Sequence, residues 1–391
     1  MNSKEKIGLI TFYRDNYGSI LQCYATKSFI EHLGFQCDLL SLKKKKTTFF
    51  QRIIKFLKYS LKILRYPSFA KVLYKERTYK RNLSDGSAEL MDEFTSKILK
   101  PCETDYKTLC NTTDYAYYIT GSDQVWNVGF LFYPIRFLKF APRHKRIALA
   151  ASFGVSEIPS FNQVELRSAL NGFDYISVRE ESAVDIVKTY SNAKVSRIAD
   201  PTFIYDADEW KKFAQSNIKV SSKYILIHFL CEPNDVAISS IKWFSESFDF
   251  KILALGYKYD VFAMIENLEY INGDPCDYLS LIEQAEIVLT DSFHSSLFSI
   301  NFDKRFFVFQ RQYAVLNQSS RIIDLLKRFG IENRFISDVN FLKKHYMDNL
   351  PRTTRDILIK ERSVIRDFIQ KSIIGQVPQC FVEKNKVGKD D

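Results

Sequence analysis

The strongest constraint on the fold is the stretch at residues 285–300, AEIVLTDSFHSSLFSI, which has the pattern of a strand, a turn and a helix. Residues 287–289 form a short β-branched apolar run, typical of an inner strand of a parallel sheet. Residues 290–292 are of types that cap helix N-termini. The apolar side chains within 297–300 then supply one face of a helix. The stretch therefore predicts an open α/β sheet.

His294 falls in the first turn of the predicted helix. Ligands of open α/β sheets bind at the carboxyl ends of strands, where helix N-termini offer unpaired N–H groups and a positive dipole. A histidine in this position can contact a bound anion and transfer a proton. The alternative is that His294 only satisfies a local hydrogen bond.

The start of the chain predicts a βαβ unit, with strands at residues 7–13 and 36–42 and a helix at 20–33. The connecting loop contains Asn16, Tyr17, Gly18 and Ser19 at the carboxyl end of the first strand. It lacks the GxGxxG pattern, so it carries no dinucleotide-binding fingerprint.

A second α/β set opens at residues 224–230, and 391 residues are enough for two domains. We predict an N-terminal domain at 1–204, a C-terminal domain at 205–375 and a flexible tail at 376–391. Residues 198–203 are expected to form the last strand of the first domain. His228, inside an apolar strand, is expected to be a core residue.

Residues 43–83 interrupt the α/β pattern with a basic insert. Residues 43–81 hold fourteen lysines and arginines against the single acidic Glu76, a local charge of +13 in a chain of net charge +10. Residues 49–66 predict a helix with cations on one side and apolar residues on the other. It is either a membrane-surface helix or a structural helix with a solvated basic face. No nucleic-acid recognition motif accompanies the charge, so we expect no nucleic-acid partner.

The apolar runs, the N-terminus and the cysteines indicate whether the protein is exported and whether it binds a metal. No apolar run is long enough to span a membrane, and the N-terminus lacks a signal-peptide pattern. Seven cysteines are scattered without metal-binding spacing, which favours reduced thiols in a cytosol. We therefore expect a cytoplasmic protein with no metal site.

Two further loops carry polar residues at predicted strand ends. After the strand at 115–120, Asp123, Gln124 and Asn127 can bind sugar hydroxyls, and Trp126 can stack on a sugar face. Alternatively, Asp123 caps a turn and Trp126 belongs to the core. Arg179 ends the strand at 175–178 and is either an anion clamp or a partner of a neighbouring glutamate.

Six motifs together resemble the polysaccharide pyruvyl transferase family, over residues 7 to about 330. Each motif is weak by itself, and their order and spacing carry the resemblance. They are Asn16-Tyr17-Gly18-Ser19, Gly121-Ser122-Asp123-Gln124-Val125-Trp126, Ser177-Val178-Arg179-Glu180, Asp200-Pro201-Thr202, Thr290-Asp291-Ser292-Phe293-His294 and Ser320-Arg321-Ile322.

The resemblance implies a fold like the GT-B glycosyltransferases, with two Rossmann-like domains facing across a cleft. It implies phosphoenolpyruvate as the donor substrate, a pyruvate ketal on a sugar as the product, and no further cofactor. The acceptor side is then the first domain, with its acceptor-binding residues in the two loops at 16–19 and 123–127. The donor side is the second domain.

The family's donor site implies roles for single residues. His294, Arg179 and Asp291 are expected to be catalytic, and Ser292 and Phe293 are expected to contact the donor. Ser292 stands where the family's turn has an arginine, so one cation is missing. Arg311 or Arg321 is expected to replace it, and both are predicted to bind the donor.

The resemblance also implies an acceptor carried on lipid, a lipid-linked oligosaccharide at the inner face of the cytoplasmic membrane. We therefore expect peripheral association with anionic lipid through residues 43–81. Two other functions fit the same sequence: a nucleotide-sugar glycosyltransferase of GT-B type, and an inactive scaffold of polysaccharide assembly.

Overall fold

The computed structural model describes residues 5–43, 48–78, 82–129, 131–216, 218–312 and 320–375, and the side chains of 75–78 are excluded. The predicted tail at 376–391, the lysines at 44–46, the basic residues at 80–81 and Tyr313 lie outside these ranges.

Two parallel sheets organise the chain. The first has the order β3-β2-β1-β4-β5-β6-β7. The second has the order β10-β9-β8-β11-β12-β13. The strands are β1 Lys6–Ile10, β2 Gln36–Leu42, β3 Cys102–Thr104, β4 Tyr115–Thr120, β5 Arg146–Ala151, β6 Tyr175–Val178, β7 Lys194–Arg197, β8 Tyr224–His228, β9 Lys251–Leu255, β10 Leu268–Ile271, β11 Ile287–Thr290, β12 Phe306–Phe309 and β13 Phe335–Ile336.

Helices connect the strands and cover both sheets, as parallel crossovers require. Single 3-10 turns lie at Pro134–Phe137, Arg143–Lys145, Ser160–Asn162, Pro201–Ile204, Asp260–Met264 and Glu332–Arg334, and a π-helical turn lies at Thr95–Leu99. The α-helices are α1 Tyr17–His32, α2 Phe49–Arg65, α3 Ser68–Thr78, α4 Asp85–Phe94, α5 Tyr106–Asn111, α6 Gln163–Leu170, α7 Glu181–Tyr190, α8 Ala207–Phe213, α9 Asp235–Ser247, α10 Pro275–Gln284, α11 Phe293–Asn301, α12 Ser320–Phe329, α13 Val339–His345 and α14 Arg352–Ile373.

The central strands of both sheets are buried apolar runs. All residues of β8 and β11 are buried, and β11 pairs in parallel with both β8 and β12. This confirms the parallel α/β fold predicted from residues 285–300. Each sheet reverses its strand order beside its first strand, between β1 and β4 and between β8 and β11. These reversal points are where open α/β sheets bind ligands.

The two domains contact each other through aromatic and polar groups. Tyr17, at the start of α1, stacks on Tyr278 of α10 with ring centroids 4.8 Å apart. Its hydroxyl donates a hydrogen bond to the carbonyl of Gly273 at 2.8 Å. Burial accordingly raises the pKa of the Tyr17 phenol far above its ordinary value. The carboxyl ends of the two sheets therefore face each other across a cleft that Tyr17 bridges.

The last helix returns to the first domain. In α14, Arg362 and Arg366 donate hydrogen bonds to the carbonyls of Phe203 and Ile204. Phe368 lies 5.7 Å from the ring of Tyr175 on β6. The chain passes from the first sheet to the second between β7 and β8, near the predicted boundary at residue 204. The helix α14 packs on both domains, although we placed it in the second.

Residues 198–203 do not form the strand that we predicted. β7 ends earlier, at Arg197, and Pro201–Ile204 is a 3-10 turn. Pro201 has no N–H group to donate to a sheet, which explains why the strand does not continue.

Candidate active site

The candidate site lies between the two reversal points, and both domains contribute residues. The first domain supplies the loops after β1, β4, β6 and β7, and the second supplies the turn after β11 and the start of α12. Residues of the two domains line one pocket, whose space is about 310 Å³ including its open mouth. The lining residues are Arg179, Glu180, Ala199, Asp200, Phe203, Phe293, Leu297, Arg321, Asp324, Leu325, Arg328 and Phe329.

Arg179 is the central cation of the site. It follows β6 directly, and only 4% of its surface is exposed. Its Nη1 donates a hydrogen bond to Oδ2 of Asp200 at 2.6 Å. Burial lowers the pKa of Arg179, but the charges of Asp200, Glu180 and Asp123 outweigh burial and raise it. Its Nε and Nη2 donate no hydrogen bond to any residue in the described ranges.

Asp200 joins Arg179 to His294, and no role for Asp200 was predicted from its motif. Its carboxylate accepts hydrogen bonds from the Ser122 hydroxyl at 2.8 Å and from the Thr202 N–H at 2.9 Å. Its Oδ2 lies 3.7 Å from Nε2 of His294. Burial raises the pKa of Asp200, but His294 and Arg179 together hold it far below its ordinary value. Asp200 is therefore a buried carboxylate between two candidate functional groups.

His294 is the second residue of α11 and is 4% exposed. Its Nε2 has no hydrogen-bond partner among the residues that the structure describes. Its side chain lies directly against the backbone of Gly18, where an added Cβ would be 2.0 Å from Cγ and 2.2 Å from Nδ1 of the imidazole. Only glycine at position 18 allows this approach, so α1 and α11 meet at this pair.

Phe293 lies between two arginines. The guanidinium carbon of Arg179 is 4.2 Å from the centre of its ring, and that of Arg321 is 5.5 Å away. Both distances are within the range of cation–π attraction. Phe293 is itself 4% exposed. The ring therefore holds two cations from different domains at the same pocket.

Asp123 is the anion that both arginines share. Its Oδ1 is 3.9 Å from Nη2 of Arg179 and 3.9 Å from Nη1 of Arg321. Its Oδ2 accepts a hydrogen bond from the Ser19 hydroxyl at 2.5 Å. Burial raises the pKa of Asp123, but His294, Arg179 and Arg321 lower it by a larger amount. Because 3.9 Å exceeds hydrogen-bonding distance, these ion pairs do not use the N–H groups of the arginines.

Asp291 and Arg311 bind each other. Nε of Arg311 donates to Oδ2 of Asp291 at 3.0 Å, and Nη2 donates to its carbonyl at 2.7 Å. The Asp291 carboxylate also accepts the N–H groups of Leu230 and Cys231 at 2.7 and 3.1 Å. The predicted catalytic role of Asp291 and donor-binding role of Arg311 stay predictions, and the structure shows the two side chains paired with each other. The pair fixes the loop after β8 to the turn after β11.

Ser292 also has a local role. Its hydroxyl accepts a hydrogen bond from the N–H of Ser295 and caps α11. Arg321, in the first turn of α12, lies near the ring of Phe293. Of the two predicted replacements for the missing arginine, Arg321 lies at the pocket and Arg311 is bound to Asp291.

The predicted acceptor residues divide into two groups. Trp126 is fully buried, stacks on Phe137 at 5.1 Å and donates to the carbonyl of Arg136. The prediction that Trp126 stacks on a sugar is therefore wrong, and it belongs to the core. Tyr17 is likewise buried in the contact between the domains.

The other acceptor residues lie near the cleft, and hydrogen bonds shape their loops. Asn16 caps α1 by accepting from the N–H of Ser19 at 3.1 Å. Gln124 is partly exposed, and its side-chain carbonyl accepts from Asn127 at 2.8 Å. These contacts hold the two loops at one rim of the cleft, and their predicted contact with an acceptor stays a prediction.

His228 is a core residue, as expected. It is 1% exposed, and its Nδ1 shares a hydrogen bond with the Ser295 hydroxyl at 2.8 Å. Burial, then the charges of Arg311 and His294, lower its pKa to about 3. It therefore stays neutral beside the site.

The described ranges contain neither a metal-binding cluster nor a membrane-spanning helix. Within them, no group of three or more His, Cys, Asp or Glu side chains is arranged to hold a metal ion. None of the helices in the same ranges is both long and apolar enough to cross a membrane.

Solved structures show the same fold at very low sequence identity. A UDP-bound MnaA from S. aureus has a TM-score of 0.55 at 11% identity, covering 95% of this chain and 98% of that chain. A UDP-N-acetylglucosamine 2-epimerase from Rickettsia bellii has a TM-score of 0.55 at 9% identity, covering 96% and 97%. These likenesses confirm the predicted GT-B type of fold.

No curated protein matches the sequence of this chain. The model of one protein family does match it, over residues 16–313, which include the reversal point between β8 and β11 and seven of the twelve residues that line the pocket. That family is described as polysaccharide pyruvyl transferase. The match covers well over half of the chain and includes the first five of the six motifs, so the chain belongs to the polysaccharide pyruvyl transferase family.

Proposed function

We propose that this protein transfers the pyruvyl group of phosphoenolpyruvate to a sugar of a surface-polysaccharide precursor, forming a pyruvate ketal and releasing phosphate. The observation that carries the proposal is Arg179, a buried arginine whose Nε and Nη2 donate no hydrogen bond within the described ranges and which Asp200 joins to His294. A buried arginine with unused donors suits a small anionic ligand.

The donor would bind at Phe293. Phosphoenolpyruvate carries a carboxylate and a phosphate, so it needs two cationic groups a short distance apart. Arg179 and Arg321 lie at the same ring, on different domains. In this proposal Arg321 provides the charge that Ser292 lacks. The bound anion would form the short hydrogen bonds that Asp123, at 3.9 Å, does not form with Arg179.

His294 would move the protons. The methylene carbon of the donor accepts a proton, which makes C2 electrophilic. One sugar hydroxyl attacks C2, phosphate leaves, and a second hydroxyl closes the ketal. The two sugar hydroxyls each lose one proton. One of these protons replaces the proton that was given to the methylene carbon, and the other leaves with phosphate. His294 can both donate and accept a proton because imidazole exchanges protons near neutral pH. The ionised Asp200 would stabilise the charged form of His294.

The acceptor would enter at the rim formed by the loops at 16–19 and 123–127. Ser19 and Asp123 are hydrogen-bonded to each other there, and Gln124 is partly exposed. The polysaccharide family supports a sugar acceptor. We propose that this sugar belongs to a lipid-linked oligosaccharide, since family members act on precursors of surface glycans.

The test is incubation of the purified protein with phosphoenolpyruvate and a panel of sugar acceptors. We expect equal molar release of phosphate and addition of one pyruvate ketal, detected by mass spectrometry. His294→Gln, which keeps a similar size, should lower the rate by about 100-fold or more if it supplies general acid–base catalysis. His345→Gln is a matched control, because His345 is half-exposed and contacts Asp348 and Phe341, outside the candidate site.

Two other outcomes would replace the proposal. Tight binding of UDP, with no phosphate release from phosphoenolpyruvate, would identify a nucleotide-sugar enzyme. Absence of turnover with any donor, together with a His294→Gln variant that restores polysaccharide modification in cells, would identify a scaffold.

A further inference from the structure

The helix α2 packs on the first domain by one narrow side. Tyr59 lies 5.6 Å from the ring of Phe69. Lys62 donates a hydrogen bond to Oδ1 of Asn162 at 2.9 Å and lies 5.6 Å from the ring of Phe161. Ile63 is partly buried against the same aromatic cluster. Three residues within two turns therefore hold the helix, and the remaining sides face outward.

The outward sides of α2 are largely apolar. Helical spacing puts Phe50, Leu57, Leu61 and Leu64 on one face, away from the packed side. These side chains are 69%, 54%, 66% and 79% exposed. Together with Phe49 and Phe56, at 80% and 70%, they form an apolar face on a helix without a single buried residue. A contiguous exposed patch of this kind marks an interaction surface.

Cations flank the apolar face on α2. Arg52, Lys55, Lys58 and Arg65 are all exposed. The helix contains no acidic residue, and its sequence neighbours 43–46 are four lysines. The alternative of an ordinary helix that packs its apolar face on the domain is therefore excluded, because that face points outward.

We propose that α2 binds the surface of an anionic lipid bilayer, with its apolar face in the acyl boundary and its cations among the headgroups. A bilayer matches both features, since apolar side chains enter the interface and basic residues contact anionic lipid. Nucleic acid matches only the charge, because its phosphates cannot cover exposed phenylalanine and leucine. This inference depends on α2 alone and holds whether or not the proposed reaction is correct.

The attachment of α2 leads to the candidate site. Asn162, which accepts from Lys62, donates its own side-chain N–H to the carbonyl of Val128 at 2.6 Å. Val128 follows the loop at 121–127, which carries Asp123. A membrane-bound α2 thus holds the rim of the cleft near the lipid surface, where a lipid-linked acceptor would be found.

The test is sedimentation of the full-length protein with vesicles, without any enzyme assay. One vesicle set contains phosphatidylcholine alone, and the other contains phosphatidylglycerol as well. The basic variant combines Arg52→Gln, Lys55→Gln and Lys58→Gln, leaving Lys62 in place because it holds the helix. The apolar variant combines Phe50→Ser, Leu57→Ser and Leu61→Ser. Circular dichroism melting confirms that each variant folds.

Matched controls remove equal numbers of exposed basic or apolar side chains elsewhere. Lys188→Gln, Lys194→Gln and Lys344→Gln remove three exposed charges from other surfaces. Met264→Ser, Met347→Ser and Ile359→Ser remove exposed apolar side chains that are 56%, 55% and 54% exposed. Neither control should change vesicle binding by more than a small factor.

We expect the wild-type protein to sediment with phosphatidylglycerol vesicles at low salt, less at high salt, and little with phosphatidylcholine alone. Each basic residue near an anionic surface contributes roughly fivefold, so the basic variant should bind about 100-fold more weakly. The apolar variant should lose at least about tenfold through its smaller buried apolar surface. A Leu61→Trp variant should gain blue-shifted fluorescence on anionic vesicles.

Three results would overturn the proposal. The first is a wild-type protein that ignores anionic vesicles at low salt. The second is an apolar variant that binds vesicles as well as wild type does. The third is a wild-type dimer, seen by light scattering without lipid, that the apolar variant dissociates, because the apolar face would then bind a second copy of the chain.

Discussion

Gly18→Ala should reduce catalysis by displacing His294 while leaving the fold intact. An added Cβ at position 18 would lie 2.0 Å from Cγ and 2.3 Å from Cβ of His294. Ordinary van der Waals contact starts at 3.4 Å, so one of the two groups must move by well over an ångström. The contact is with the base of the histidine side chain, so a simple rotation of the ring cannot relieve it.

The expected loss follows from that displacement. A misplacement of about 1 Å at a reacting group can cost on the order of 100-fold in rate. We therefore expect Gly18→Ala to lower kcat by about 100-fold. The backbone at position 18 is helical, and alanine favours a helix over glycine by up to about 1 kcal/mol, so α1 should not unfold.

The assay is phosphate release from phosphoenolpyruvate with a saturating sugar acceptor, combined with thermal melting of each variant. Gly86→Ala is the matched control. It also adds a methyl group against the second domain, where the nearest atom is Nδ2 of Asn272 at 2.6 Å. That atom is the flexible end of a side chain outside the candidate site, so the control should keep its activity.

A Gly18→Ala variant that retains more than about one third of the wild-type rate would refute the reasoning. An equal loss in Gly86→Ala would refute it as well, since the effect would then come from the domain contact in general. A large drop in melting temperature for Gly18→Ala alone would show that the contact serves folding and not the placement of His294.

Three further predictions concern charge. Asp200→Asn should reduce the unfolding free energy by about 3–5 kcal/mol, because it removes the charged carboxylate that accepts a hydrogen bond from the buried Arg179 guanidinium. Asp174→Asn, in an exposed ion pair, should cost less than about 1 kcal/mol, and equal losses in chemical denaturation would contradict this. Arg321→Gln should weaken phosphoenolpyruvate binding by about 10-fold or more in calorimetry, the loss of a hydrogen bond to a charged group, and the exposed Arg143→Gln should not; an unchanged affinity for Arg321→Gln would remove this residue from the donor site. Burial lowers the pKa of His228 from 6.5 to about 3, so below pH 6.5 the unfolded chain binds a proton that the folded protein does not, and the unfolding free energy should fall by roughly 1.4 kcal/mol per pH unit towards pH 3. His228→Asn should flatten this slope, and an unchanged slope in denaturation from pH 6.5 to 5 would contradict the assignment.

Much of the fold follows from periodicity in the sequence. The helix predicted at 181–190 is α7, Glu181–Tyr190, and the strand predicted from residues 287–289 is β11, Ile287–Thr290. These elements have regular apolar patterns with capping residues at their ends, so local physics determines them. The short edge strands are less visible, because β3 and β10 have mixed burial and contain exposed residues. Their pairing partners determine them more than their own composition does.

The candidate site was predicted in part. Strand ends and helix starts locate Arg179 and His294, since the carboxyl edge of a parallel sheet is a general place for ligands. The contacts between the domains are not encoded in local spacing. Asp200 belongs to the Asp-Pro motif that follows a buried segment, and this was the one available signal of its role. Three residues have side chains of types suited to ligands but are engaged inside the fold. Trp126 is packed in the core, and Asp291 and Arg311 form an ion pair with each other.

The meeting of Gly18 and His294 has a consequence for how the enzyme would treat water. The proposed donor becomes a reactive electrophile as soon as it is protonated, and water could hydrolyse it in place of the sugar. Arg179 belongs to one domain and His294 to the other. In the proposed reaction, a wider opening of the cleft would therefore also separate His294 from Arg179. Hydrolysis would be suppressed by this geometry, since the reactive arrangement would be lost as solvent enters between the domains.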